Sequence, residues 1–178
     1  MGIRRRLTLR WVLPVLTLMS VGLPVRGADA PPEYQLKAAI LYNFALYTIW
    51  PDEVDGTLNL CIYGSDPFGK EIDFLQGKAV GDRHIAVLRK TTVDSLNGCQ
   101  IVFVASSAID NLLRVLEAPH ALPMLTVAES PGAASRGVAL NMTVTRNRVT
   151  FEANLSAARH GGLNLSSMLL RLATQIIQ

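Results

Sequence analysis

The sequence predicts an α/β fold: a mostly parallel sheet with flanking helices in a flavodoxin- or Rossmann-like order, closed by a C-terminal antiparallel hairpin and a helix. Three observations predict it. Apolar runs of strand length (LNLCIYG, RHIAVLRK, CQIVFVAS, PMLTVAE) alternate with segments of helical spacing, the pattern of parallel strands joined by crossovers. The run CQIVFVAS is apolar throughout, as a strand covered on both faces must be. From Gly137 to Asn154 the pattern becomes apolar–polar alternation about Arg146-Asn147, which marks an antiparallel hairpin.

In chain order, Arg4, Arg5, Arg6 and Arg10 precede the apolar stretch WVLPVLTLMSVGLPV and the small residues of RGADA. A basic start, a short apolar run and a small-residue exit describe a secretory signal, and the span is short for a stable membrane helix. A leader over 1–27 is expected, cut after Gly27, Ala28 or Ala30, followed by a single domain over 28–178. The leader holds five of the 17 basic residues and none of the 14 acidic ones, so the mature chain is slightly acidic. No basic stripe remains for nucleic acid, and that partner class is excluded.

After Pro31-Pro32, residues 33–50 place Leu36, Ile40, Phe44 and Tyr47 on one helical side, with Leu41, Ala45 and Ile49 close by. The helix stops at Trp50, because the residue before Pro51 avoids the helical region. Trp50 itself reads as a roof on the core. Next comes a strand ending in GSDPFGKE, which imitates a phosphate-binding loop. Glu71 stands where the Mg²⁺-ligating Ser or Thr is needed, Asp66 puts a negative charge at the phosphate, and Pro67 removes a donor. A capped turn, with Asp66 or Ser65 at the start of a short helix over 67–77, is the better reading.

Strands at 83–90 and 99–106 follow, then a helix over 107–118 capped by Ser106 or Ser107, then the strand PMLTVAE. After the hairpin, Asn154 is expected to cap LSAARH, Gly161-Gly162 to end it, and 165–177 to form an amphipathic helix. The two cysteines, Cys61 and Cys99, lie in the first strand and at the start of the third. In an oxidising compartment an even count favours a disulfide over two buried thiols, and a 2-1-3 strand order would make their strands neighbours.

No G-x-S-x-G elbow or paired carboxylates appear, so no enzyme is predicted. Two cysteines are too few for zinc, and His84, His120 and His160 lack ligand spacing, so no metal or other cofactor is expected. A small-ligand receptor is a second class, using the crevice bordered by GSDPFG, ASSAID and AESPG. An envelope-assembly partner is a third.

EYQLKAAILYNFALYTIWP, LCIYGSDPFG, CQIVFVAS, PMLTVAES and VTFEANLSAARHGGLNLSSMLLRLA together resemble the YfiR family of exported regulators, over nearly the whole mature chain. The resemblance implies a periplasmic protein that binds and inhibits the periplasmic sensor region of an inner-membrane diguanylate cyclase (YfiN-like), limiting cyclic-di-GMP and biofilm formation. It also implies a homodimer and redox tuning. Cys61 and Cys99 match a family pair, whereas SPGAASRGVALNM lacks the second pair of the best-known member. Partner contacts carried over from the family fall on Leu140, Phe151 and Glu152. From strand alternation alone, Glu152 points out if Phe151 points in.

Overall fold

The computed structural model describes residues 33–146 and 148–178. The expected leader, its cut sites and the hairpin residue Asn147 lie outside the described residues. Helix α1 (Glu33–Tyr47) leads into β1 (Thr48–Ile49) and β2 (Thr57–Tyr63), and a 3-10 helix (Gly69–Leu75) links β2 to β3 (Ala79–Val80) and β4 (Arg83–Lys90). Then come β5 (Ile101–Val104), a second 3-10 segment (Ser106–Asn111) running into α2 (Leu112–Glu117), and β6 (Leu125–Ala128). The chain finishes with β7 (Leu140–Thr145), β8 (Arg148–Asn154), α3 (Leu155–His160), β9 (Asn164–Leu165), α4 (Ser167–Leu170) and β10 (Gln175–Ile177).

Eight strands form one mixed sheet in the order β10-β8-β7-β6-β5-β2-β4-β3. The pairs β4–β2, β2–β5, β5–β6 and β6–β7 are parallel, so the first four long strands stand in the order 2-1-3-4, which contains the 2-1-3 arrangement that makes the two cysteine strands neighbours. β7 and β8 pair antiparallel, with Thr145 opposite Arg148. Arg146 takes the left-handed conformation of a tight hairpin turn, φ 50°.

Strand alternation divides the core in two. Leu58, Leu60, Ile62, Ile101, Phe103, Leu125 and Val127 face α1, whose Leu41, Phe44 and Ala45 lie against them. Cys61, Tyr63, Val102 and Val104 point the other way, under Leu96, Ala108, Leu112 and Val115. Both faces of the central strands β5 and β6 are covered, every residue of each being buried, which explains why β5 is apolar throughout.

Three local expectations are corrected. The buried face of α1 centres on Lys37, Ala38, Leu41, Phe44 and Ala45, while Leu36 and Ile49 are exposed. Neither Ser106 nor Ser107 caps the following helix, which begins as 3-10 turns; each hydroxyl is engaged with another loop. Residues 165–177 are not one helix. After the single turn of α4, the Thr174 N–H and hydroxyl both donate to the Phe151 carbonyl, at 2.8 and 2.9 Å. That contact lays Gln175, Ile176 and Ile177 along the open edge of β8. The edge offers backbone partners that an isolated amphipathic pattern cannot anticipate.

Other local readings agree with the structure. The Asn154 side chain accepts from the Ala157 N–H at 2.9 Å and caps α3. Trp50 is in the core, its Nε1 donating to the Ala45 carbonyl at 2.9 Å.

Candidate functional site

The carboxyl ends of β2, β5 and β6 gather the three loops singled out in the sequence. In GSDPFG, Asp66 Oδ1 accepts from the N–H groups of Phe68 and Gly69, at 2.7 and 3.3 Å, while Oδ2 accepts from Arg89 Nε at 2.8 Å. Arg89 also reaches Asp73 Oδ1 and the Gly69 carbonyl, both at 3.0 Å. The loop therefore supplies its own anion to the donors and the cation that a phosphate would need. Its resemblance to a nucleotide loop ends there.

Beside it, Glu129, at the end of β6, forms a buried ion pair with Lys37 of α1, Nζ to Oε2 2.7 Å, the two side chains being 5% and 4% exposed. Ser106 Oγ donates to Glu129 Oε1 at 3.3 Å, and Lys37 Nζ lies 4.6 Å from the centre of the Tyr34 ring. Burial by itself would lower the Lys37 pKa; the hydrogen bonds to Glu129 and Glu33 outweigh it and raise the group above its ordinary value. Burial, then the Glu129 charge, raises the Tyr34 phenol. This cluster pins α1 to the sheet. Sequence reasoning missed it, because a lysine on a helix reads as solvated.

Cys61 and Cys99 are joined in a disulfide, with Cα atoms 6.0 Å apart and a separation of 38 positions in sequence. The bond ties β2 to the chain entering β5, inside the second core. It matches the expectation from strand order.

On the late hairpin, Leu140 is fully buried between Val127 and Ala153. Phe151 is nearly so, its ring 4.9 Å from that of Phe44 in an edge-on contact. Glu152 points to the opposite face, as alternation requires, and accepts from Asn141 Nδ2 at 3.1 Å. Its strand neighbours are Asn141 and Gln175, and two residues further along, the Thr143 and Thr150 hydroxyls are 3.0 Å apart. The three carried-over residues thus form one unit: two apolar anchors below and one carboxylate above. Asn141 Oδ1 is buried with no partner among the described residues, so its amide is held there from one side only.

A groove of about 630 Å³ is lined by Glu117, His120, Met124, Thr126 and His160 among others. Burial, then the neighbouring His160, lowers the His120 pKa. Among the described residues, no three His, Cys, Asp or Glu side chains converge to hold a metal, and no helix is long and apolar enough to cross a membrane.

No curated protein matches the chain. Among solved structures, the fold is similar to that described as an ABC domain in complex with L-Trp from Streptococcus pneumonia, with a TM-score of 0.53 at 9% identity. The similarity covers 81% of this chain and 60% of that one, so this chain spans less than two thirds of that protein. At that identity the likeness concerns the fold alone. A sequence model described as YfiR/HmsC-like matches residues 34–174, which takes in the clustered loops, the disulfide and the hairpin, and the chain therefore belongs to the YfiR/HmsC-like family.

Proposed function

We propose that the chain is an exported regulator that, once its leader is removed, docks in the periplasm on the sensor region of an inner-membrane diguanylate cyclase and holds it inactive. Cyclic-di-GMP and biofilm formation fall as a result. The observation that carries this reading is family membership across residues 34–174. The hairpin supplies a docking face compatible with it: Glu152 offers a carboxylate to a basic group of the partner, over a strand stiffened by Phe151 and Leu140. A homodimer is the form proposed to engage the cyclase, and no catalytic step is assigned.

The test uses the mature chain and the periplasmic region of an inner-membrane diguanylate cyclase from the same cell. Glu152→Gln keeps an acceptor for Asn141 but removes the charge, and is expected to weaken binding about tenfold, the size of one lost charge contact. Deleting the gene should raise cyclic-di-GMP. Unchanged cyclic-di-GMP together with failure to capture a cyclase rejects the proposal.

A second reading, a periplasmic small-ligand sensor, is favoured by the groove beside His120. A thermal-shift screen separates the two: ligand-dependent stabilisation without cyclase capture supports the sensor.

A further inference from the structure

The crevice where the sheet order reverses, between the loops after β2 and after β5, holds a cavity of about 380 Å³, within the ~300–1,000 Å³ typical of small-molecule sites. We propose that this cavity binds a neutral, hydroxyl-rich ligand of monosaccharide size. The inference does not depend on the docking reading above.

The lining decides the chemistry. Ser65, Thr91, Ser107 and Asn111 surround the opening, and Tyr63 and Ala108 lie beneath. Tyr63 is only 3% exposed, and among the described residues its hydroxyl makes no hydrogen bond to protein. The hydroxyls of Ser65 and Thr91 and the amide of Asn111 likewise have no protein partner there; Asn111 stands before α2 without capping it. Ser107 Oγ accepts from the Ser65 N–H at 2.9 Å and keeps its own proton to donate. Five side chains that both donate and accept thus line one small space.

Other ligand classes fit less well. No lining residue is charged, so neither a cation nor an anion finds a counter-charge. The N–H groups an anion would use are already taken: Gly64 N–H donates to the Lys90 carbonyl at 3.1 Å, and Ser65 N–H donates to Ser107. An apolar ligand would strip water from four unpaired polar groups, each at a cost. A sugar hydroxyl can be donor and acceptor at once, which is what this lining offers and asks for.

The test is amide-resolved NMR of the mature chain with glucose, N-acetylglucosamine and trehalose at millimolar concentration, and with inorganic phosphate as the anion control. Saturable shifts at Ser65, Thr91, Ser107 and Asn111 with at least one sugar, absent with phosphate and lost in Asn111→Leu and Thr91→Val, are the expected result. Both variants alter exposed or half-buried residues, so unchanged melting temperatures verify that loss of shifts is not loss of fold. Absence of shifts with all three sugars, equal shifts with phosphate, or shifts that persist in both variants would overturn the proposal.

Discussion

Lys37 shows how one side chain can override its own type. It sits 4% exposed on the core-facing side of α1, with Glu129, 92 residues away, as its partner. Removing Glu129 leaves Lys37 only the half-exposed Glu33 as a counter-charge, and a buried charge left wholly uncompensated costs about 3–5 kcal/mol. Glu129→Ala should therefore lower stability in urea by up to that much, and Lys37→Met with Glu129→Leu together by much less. Because the folded pKa of Lys37 is raised, its contribution is complete below the unfolded value and is lost as pH climbs through the folded one. A urea titration across the alkaline range should show that limb in the parent and a flatter one in Lys37→Met. His120 works in the opposite direction at acid pH. Its folded pKa is lowered, so stability is full above the ordinary imidazole value of 6.5 and declines as pH falls below it. Melting curves between pH 7.5 and 5, which is roughly the range in which histidine titrates, should flatten in His120→Gln. Gly161 is constrained by space: a Cβ there would lie 2.4 Å from the Met124 carbonyl oxygen. No sequence pattern shows that contact, although Gly161-Gly162 was legible as a helix stop.

At the scale of elements, the disulfide and the C-terminal strand make the two clearest cases. The Cys61–Cys99 bond closes a loop of 38 residues, and the loop-entropy model assigns such a closure roughly 3–4 kcal/mol. Reducing agent should lower the melting temperature; an unchanged value would show that the bond constrains nothing the sheet does not already hold. The cap on α3 does two jobs, since Asn154 Nδ2 also donates to the Ala134 carbonyl at 2.8 Å. Asn154→Ala is expected to cost at least the ~1 kcal/mol of an ordinary cap, measured by chemical denaturation. The cap was readable because an asparagine before a helical pattern acts locally. β10 was not, because its partner strand β8 is remote in sequence and the interaction is through backbone groups. Short strands such as β1 and β9 escaped for the same reason: two residues carry too little pattern.

For the whole molecule, the two-faced sheet sets what each end of the chain can do. Loops after β2, β5 and β6 converge because parallel strands all point their carboxyl ends one way. The antiparallel β7–β8 addition projects Glu152 from the far side of the sheet order, away from that crevice. Binding at the crevice and docking at the hairpin can therefore be separated experimentally: Glu152→Gln should reduce cyclase capture and leave the sugar-dependent NMR shifts unaltered. Asn111→Leu should do the reverse.

By itself the sequence determined the α/β class, the long strands and the late hairpin, the Asn154 cap and the failure of the phosphate-loop motif. Each depends on periodicity, turn chemistry or residue type within a short stretch. The order of the strands, and with it the adjacency of the two cysteines, was settled by the fold. Only the tertiary structure decided that Lys37 is buried, that Leu140 and Phe151 lie beneath Glu152, that the last residues join the sheet, and that Ser65, Thr91, Ser107 and Asn111 share one cavity. Those outcomes depend on partners brought from distant parts of the chain, where the energy of a buried pair or an open sheet edge outweighs local preference.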